Sequence, residues 1–288
     1  MILAAVSLWE IEQDLTGIVN DIFYKLMDKV IRLLTTNPKV WAQENGIWGT
    51  IEGINNSVIT IACQLAVIFF LIGFCEQAIN VKENISLITF FGIFIRIAIT
   101  EYFIVHSLDI IYWLFEVTSS LVGLTNVKNF YINQIGLVDH IYDMNAVSNV
   151  VFLFPTIIYL IVVPACGAMI LIMALKRLFK IYLAVPYGSL AFSTIASSSR
   201  EISQTMPGFV KYMLSVLLEA FSLAVALQIG MRLLFGGQGF IDFSDMGVSN
   251  HLLPATLKIA QNIINAVILT VICHMSESVG TRALRLDR

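Results

Sequence analysis

The sequence predicts an all-α, polytopic integral membrane protein. We expect about five transmembrane helices, an N-terminal amphipathic helix and one short re-entrant or interfacial segment. Three observations carry this expectation. Hydrophobic residues make up 58% of the 288 residues and charged ones only 13%, with a mean hydropathy of +0.83, whereas a soluble domain carries about a quarter charged residues. Residues 150–175 hold no charge at all, and as a helix they would reach about 39 Å against a hydrocarbon core of roughly 30 Å. Directly after them come Lys176, Arg177 and Lys180, then a short apolar piece, 181–197, broken by Pro186, Tyr187 and Gly188.

Taken in order, residues 8–34 are periodic. Leu8, Ile11, Leu15, Ile18, Ile22, Leu26, Val30 and Leu33 recur at 3–4 spacing, with Asp14, Asp21, Lys25, Asp28 and Arg32 between them. That pattern predicts an amphipathic helix rather than a span. It would lie in the membrane interface, pack as a stalk against copies of itself, or cover the protein's own apolar surface. Asn37-Pro38 ends it, and Trp41 and Trp48 in the following polar connector suit a membrane surface. Residues 1–56 are therefore read as helix plus interfacial connector, and 57–288 as the transmembrane domain.

The first span is expected at about 58–75. A turn with Lys82 follows, then one proline-free helix over 85–115 carrying Arg96, Glu101, His106 and Asp109. Residues 116–149 read as a polar loop with Phe130, Tyr131 and Tyr142 available for docking. Pro155, Pro164 and Gly167 interrupt the 150–175 span without forbidding it, because membrane helices tolerate such residues where neighbours re-satisfy the backbone. A further span is expected over 208–235 with Glu219 and Gln228, and Ser222, Ala226 and Gly230 form a small-residue face for close helix packing. Gly236-Gly237-Gln238-Gly239 ends it, an acidic loop follows, and the last span covers about 257–275.

Charge placement leaves two topologies. If 181–197 does not cross, there are five spans, with the N-terminus outside and Lys176, Arg177 and Lys180 forming a basic cytoplasmic cluster. If it crosses, there are six, with both ends inside. The count of Lys and Arg tips slightly toward six, but the density of the 176–180 cluster close to two apolar segments favours five. In the five-span reading Pro186 and Gly188 are a hinge.

Composition narrows the chemistry. Net charge is −3, so no basic balance favours nucleic-acid binding. Cys63, Cys75, Cys166 and Cys273 lie in apolar segments without CxxC spacing and read as small core hydrophobes. The first residues lack a basic n-region, so no cleavable signal peptide is expected. No phosphate-binding loop, zinc-protease helix or nucleophile elbow is present in the sequence, so no enzymatic activity, cofactor or metal is expected. The residues to weigh are the intramembrane polar ones: Arg96, Glu101, Glu219 and Gln228. An ionised residue at mid-bilayer costs about 2.5–3.5 kcal/mol on insertion scales, so it turns toward protein or water. Arg96 and Glu101 lie about 140° apart around a helix and do not pair. Glu219 is the expected partner of Arg96, as a buried ion pair fixing helix register or as part of an aqueous pathway.

The layout as a whole resembles the TrbL/VirB-six-like polytopic channel proteins of conjugative type IV secretion systems. The resemblance rests on the amphipathic start, the early pair of spans and the long polar loop before the central span. It also rests on the basic turn ALKRLFKIYLAVPYGSLAFSTIA and on two later spans, the first with a small-residue face. It implies a homo-oligomeric platform in the cytoplasmic or inner membrane, embedded in lipid and docked to other secretion-machine subunits. A partner ATPase would supply energy, and transferred DNA would pass as transient cargo. The competing expectation is a secondary transporter or small-solute channel using Arg96, Glu101 and Glu219, although no inverted repeat is visible in the sequence.

Overall fold

The computed structural model describes residues 2–80, 87–125, 146–197, 199–235 and 252–283. Nearly all of these residues are helical, with no strand among them. Nine helices follow in order among the described residues: α1 (Ile2–Thr35), α2 (Pro38–Glu44), α3 (Trp48–Asn80), α4 (Leu87–Val105), α5 (Ser107–Leu124), α6 (Ala146–Ser193), α7 (Arg200–Ser203), α8 (Thr205–Phe235) and α9 (Leu252–Ala283), with a 3-10 turn at Thr194–Ala196. Five of them are long and apolar enough to cross a membrane: α3, α5, α6, α8 and α9. The turn with Lys82, most of the expected polar loop (126–145, including Phe130, Tyr131 and Tyr142), the Gly236–Gly239 terminator with its acidic loop, and residues 284–288 lie outside the described residues.

Three expectations about individual elements change. The stretch 85–115 is not one helix: α4 ends at Val105 and α5 starts at Ser107. The break falls on the polar run His106-Ser107-Leu108-Asp109. There Ser107 turns inward to share a hydrogen bond with Ser189 at 2.8 Å, and His106 meets the Asp109 carboxylate at 3.1 Å. Side chains that bond locally compete with regular helix continuation. α5 then runs to Leu124, so the first part of the expected 116–149 loop is helix.

The segment 181–197 is not a separate re-entrant or interfacial piece. α6 is continuous for 48 residues, from Ala146 to Ser193, through Pro155, Pro164 and Pro186. Each proline removes one backbone donor, but the residues around Pro186 are held by burial: Ile181, Ala184, Val185, Ser189 and Phe192 are all inside. Nor is Gly188 a hinge. A Cβ there would sit 2.8 Å from Ile111 Cδ1 and 3.5 Å from the Phe209 ring, so the glycine lets α5 and α8 close on α6.

The third change concerns α1. Over residues 14–35 its buried side chains are Thr16, Val19, Phe23, Met27, Val30 and Leu34, while Ile18 and Ile22 are exposed. The packed face is rotated by about one residue, or 100°, from the stripe the spacing picked out. Apolar residues occupy more than half of the helix circumference here, so periodicity alone could not choose between overlapping stripes.

The chain forms two compact units. The first holds residues 1–35, 122–175 and 221–279. In it, α1 lies parallel to the first part of α6: the Tyr159 hydroxyl donates to Asn20 Oδ1 at 2.6 Å, and Phe23 and Leu26 pack on Gly167. The later part of α8 pairs antiparallel with α9. Asn265 Nδ2 donates to the Leu234 carbonyl at 2.8 Å, Gly230 lies under Leu269, and the Ser222 hydroxyl donates to the Ser276 carbonyl at 3.3 Å.

The second unit holds residues 36–121, 176–220 and 280–288. α3 and α4 form an antiparallel pair, with Phe70 beside Phe94 and Ala62, Ala66, Ile104, Phe192 and Ala196 forming a shared core. Trp48 is buried; it packs on Tyr112, and Lys39 sits over the Tyr112 ring at 3.9 Å. Neither unit coincides with the segments 1–56 and 57–288, and α3 runs unbroken across residue 56.

Candidate functional site: buried polar groups among apolar helices

Within the second unit, α6 and α8 bring together an acid and two bases. Lys180 Nζ lies 3.2 Å from Glu219 Oε2, and Arg177 Nε lies 3.8 Å from the same oxygen. The Glu219 side chain is 3% exposed, that of Arg177 6% and that of Lys180 30%. Arg177 and Lys180 are three apart, so both reach one face of α6, while Lys176 points outward. The basic cluster lies inside the continuous helix α6, and two of its three members neutralise a buried carboxylate. Such a triad fixes the register of two helices, because displacing either one strands a charge in an apolar setting.

Arg96 does not reach Glu219. It is exposed on α4, and its Nη1 donates a long hydrogen bond, 3.4 Å, to the Ser197 carbonyl. Glu101 is also exposed on α4, and Gln228 is half-buried on α8. The four intramembrane polar residues singled out in the sequence therefore do not form one site. Ser222 and Gly230 face α9, and Ala226 shares their face by spacing.

Sequence reasoning missed a second polar cluster. Asn55 of α3, Ser107 of α5 and Ser189 of α6 are fully buried; Ser189 donates to Asn55 Oδ1 at 3.3 Å and bonds Ser107. This chain of side chains ties three helices together where apolar contacts alone would leave their rotation free. Short polar residues in apolar helices were the available signal, but serine is common in membrane helices, and nothing local marks which ones pair. Among the described residues, no group of three His, Cys, Asp or Glu side chains gathers to hold a metal ion.

The fold and its buried polar groups define an all-α, multi-pass membrane protein whose described spans are joined by side-chain hydrogen bonds and the Glu219 ion triad. No family model, curated protein or solved structure matches the chain.

Proposed function

We propose that this chain is a non-enzymatic channel or platform component of a conjugative type IV secretion system. It works as a homo-oligomer in the cytoplasmic or inner membrane. The supporting observation is the outward placement of Arg96 and Glu101. α4 carries no other charge between Leu87 and Val105, and it packs on the span α3. Turned to lipid, each charge would cost about 2.5–3.5 kcal/mol, so this surface of α4 calls for polar protein groups or water beside it, which assembly with another copy or another subunit supplies. The resemblance in layout to TrbL/VirB-six-like proteins supplies the machine in which such a platform works. A partner ATPase supplies energy, and DNA with its attached protein is transient cargo. Glu219 is tied to two bases within the chain, which favours a structural role over a proton- or substrate-coupled one.

Single-particle imaging of the protein in mild detergent, with DNA transfer scored after deletion in a conjugation-competent host, tests the proposal. A ring of copies and lost transfer are expected. A stable monomer together with undiminished transfer overturns it.

A further inference from the structure

The charged face of α1 stands beside the longest uncharged stretch of the chain. Asn20 and Leu26 of α1 are level with Tyr159 and Gly167 of α6. Those two positions lie within about 7 Å of the middle of the uncharged 150–175 run, at 1.5 Å per residue. The same part of α6 shows lipid an apolar side: Phe154, Ile157, Ile158, Ile161 and Ile172 are exposed, Ile161 by 65%. It therefore sits in the membrane, and α1 sits beside it at the same depth.

α1 turns a different kind of surface outward. Asp14, Asp21, Lys25, Asp28, Lys29 and Arg32 are all exposed, with Ile18 and Ile22 at the side of the same arc. At about 100° per residue, the centre of this arc is opposite the packed face formed by Val19, Phe23, Met27 and Val30. Asp21 and Lys25 fall near mid-bilayer, Asp28 and Lys29 a turn further along, and Asp14 and Arg32 near the two edges. Lipid contact would cost about 2.5–3.5 kcal/mol for each central charge. A dry contact with protein is also disfavoured, since interface cores are depleted of charge and buried pairs seldom recover their desolvation. Water is the remaining neighbour.

We infer that the outward face of α1 lines a water-filled passage through the membrane, closed by α1 helices of further copies. The lining carries both signs of charge, which suits hydrated or mixed-charge solutes rather than a single ion type. The inference rests on the oligomeric reading above for the copies that close the passage.

Single cysteines test it, placed in an otherwise cysteine-free chain because Cys75 is exposed. Asp21→Cys, Lys25→Cys and Asp28→Cys probe the passage, Ile161→Cys the lipid face, and Val30→Cys the packed face. Each is treated in native membranes with a charged, membrane-impermeant methanethiosulfonate reagent. Only the thiolate reacts, and apolar surroundings raise the thiol pKa by two units or more, so the α1 sites should label about a hundredfold faster than Ile161→Cys or Val30→Cys.

Slow labelling at all three α1 sites overturns the inference, whether or not disulfides form between copies. Fast labelling at Ile161→Cys also overturns it, because that segment of α6 would then not face lipid. The secretion reading fails separately: α1 sites that label while DNA transfer survives deletion leave the passage standing without that role. Unlabelled sites with transfer lost do the reverse.

Discussion

At the scale of single residues, Glu219 is the most constrained charge described here. Its replacement by glutamine removes the counter-charge from Arg177 and Lys180, which stay where α6 holds them. Breaking a buried pair this way costs about 3–5 kcal/mol, and the partial exposure of Lys180 puts the expected loss at the lower end, about 3 kcal/mol. Glu219→Gln should therefore lower the thermal midpoint of the protein dispersed as single chains clearly, while Arg96→Gln, which loses one long bond within the chain, should change the stability of the single chain by under about 0.5 kcal/mol. Equal midpoints for the two variants would refute the structural role of the triad. The sequence offered a hint of this pairing: Arg177 and Lys180 are spaced to share a helix face, and Glu219 is deep in an apolar run. It could not say which helix lay opposite. Arg96 was the expected partner because it lies within an apolar run as Glu219 does, and only the packing of α6 on α8 shows that Arg177 and Lys180 take that place.

Elements are decided by small residues and by what surrounds the prolines. Gly230 has no room for a side chain: an added Cβ would lie 2.6 Å from Leu269 Cδ1, and Leu269 is fully buried. Gly230→Leu should cost at least about 1–3 kcal/mol through overpacking and should loosen α9 from α8. Gly53, by contrast, meets nothing within 4 Å inside α3, so Gly53→Ala should stabilise by up to about 1 kcal/mol from helix propensity. Thermal unfolding of both variants in one detergent checks the pair, and a stabilised Gly230→Leu would rule out the close approach. The small-residue spacing at 222, 226 and 230 was visible in the sequence because helix geometry fixes it. The continuity of α6 was not. A proline in an apolar run reads as a break until the buried neighbours that hold the helix together are known, and those come from α5 and α8, far away in sequence.

For the molecule as a whole, class was legible and arrangement was not. Hydrophobic content and uncharged run length report on solvent, which is a property of the entire chain, so the all-α membrane character follows from composition. Which helices meet depends on pairings such as Asn55 with Ser189 that leave no local trace.

The Glu219 triad also carries a consequence for biogenesis. Lys180 precedes its carboxylate by 39 residues, so during translation the basic middle of α6 emerges roughly 2–8 s before its counter-charge at about 5–20 residues per second. Arg177 and Lys180 lie about 22–26 Å beyond the middle of the 150–175 run, past the roughly 15 Å half-thickness of the hydrocarbon core, so they wait at the membrane surface rather than in lipid. For that interval the later part of α6 stands with both cations unneutralised and its α8-facing side uncovered. A nascent chain ending at Gln204 should be degraded faster than one ending at Phe235, as measured by pulse-chase, and equal lifetimes would show that α8 does not protect α6.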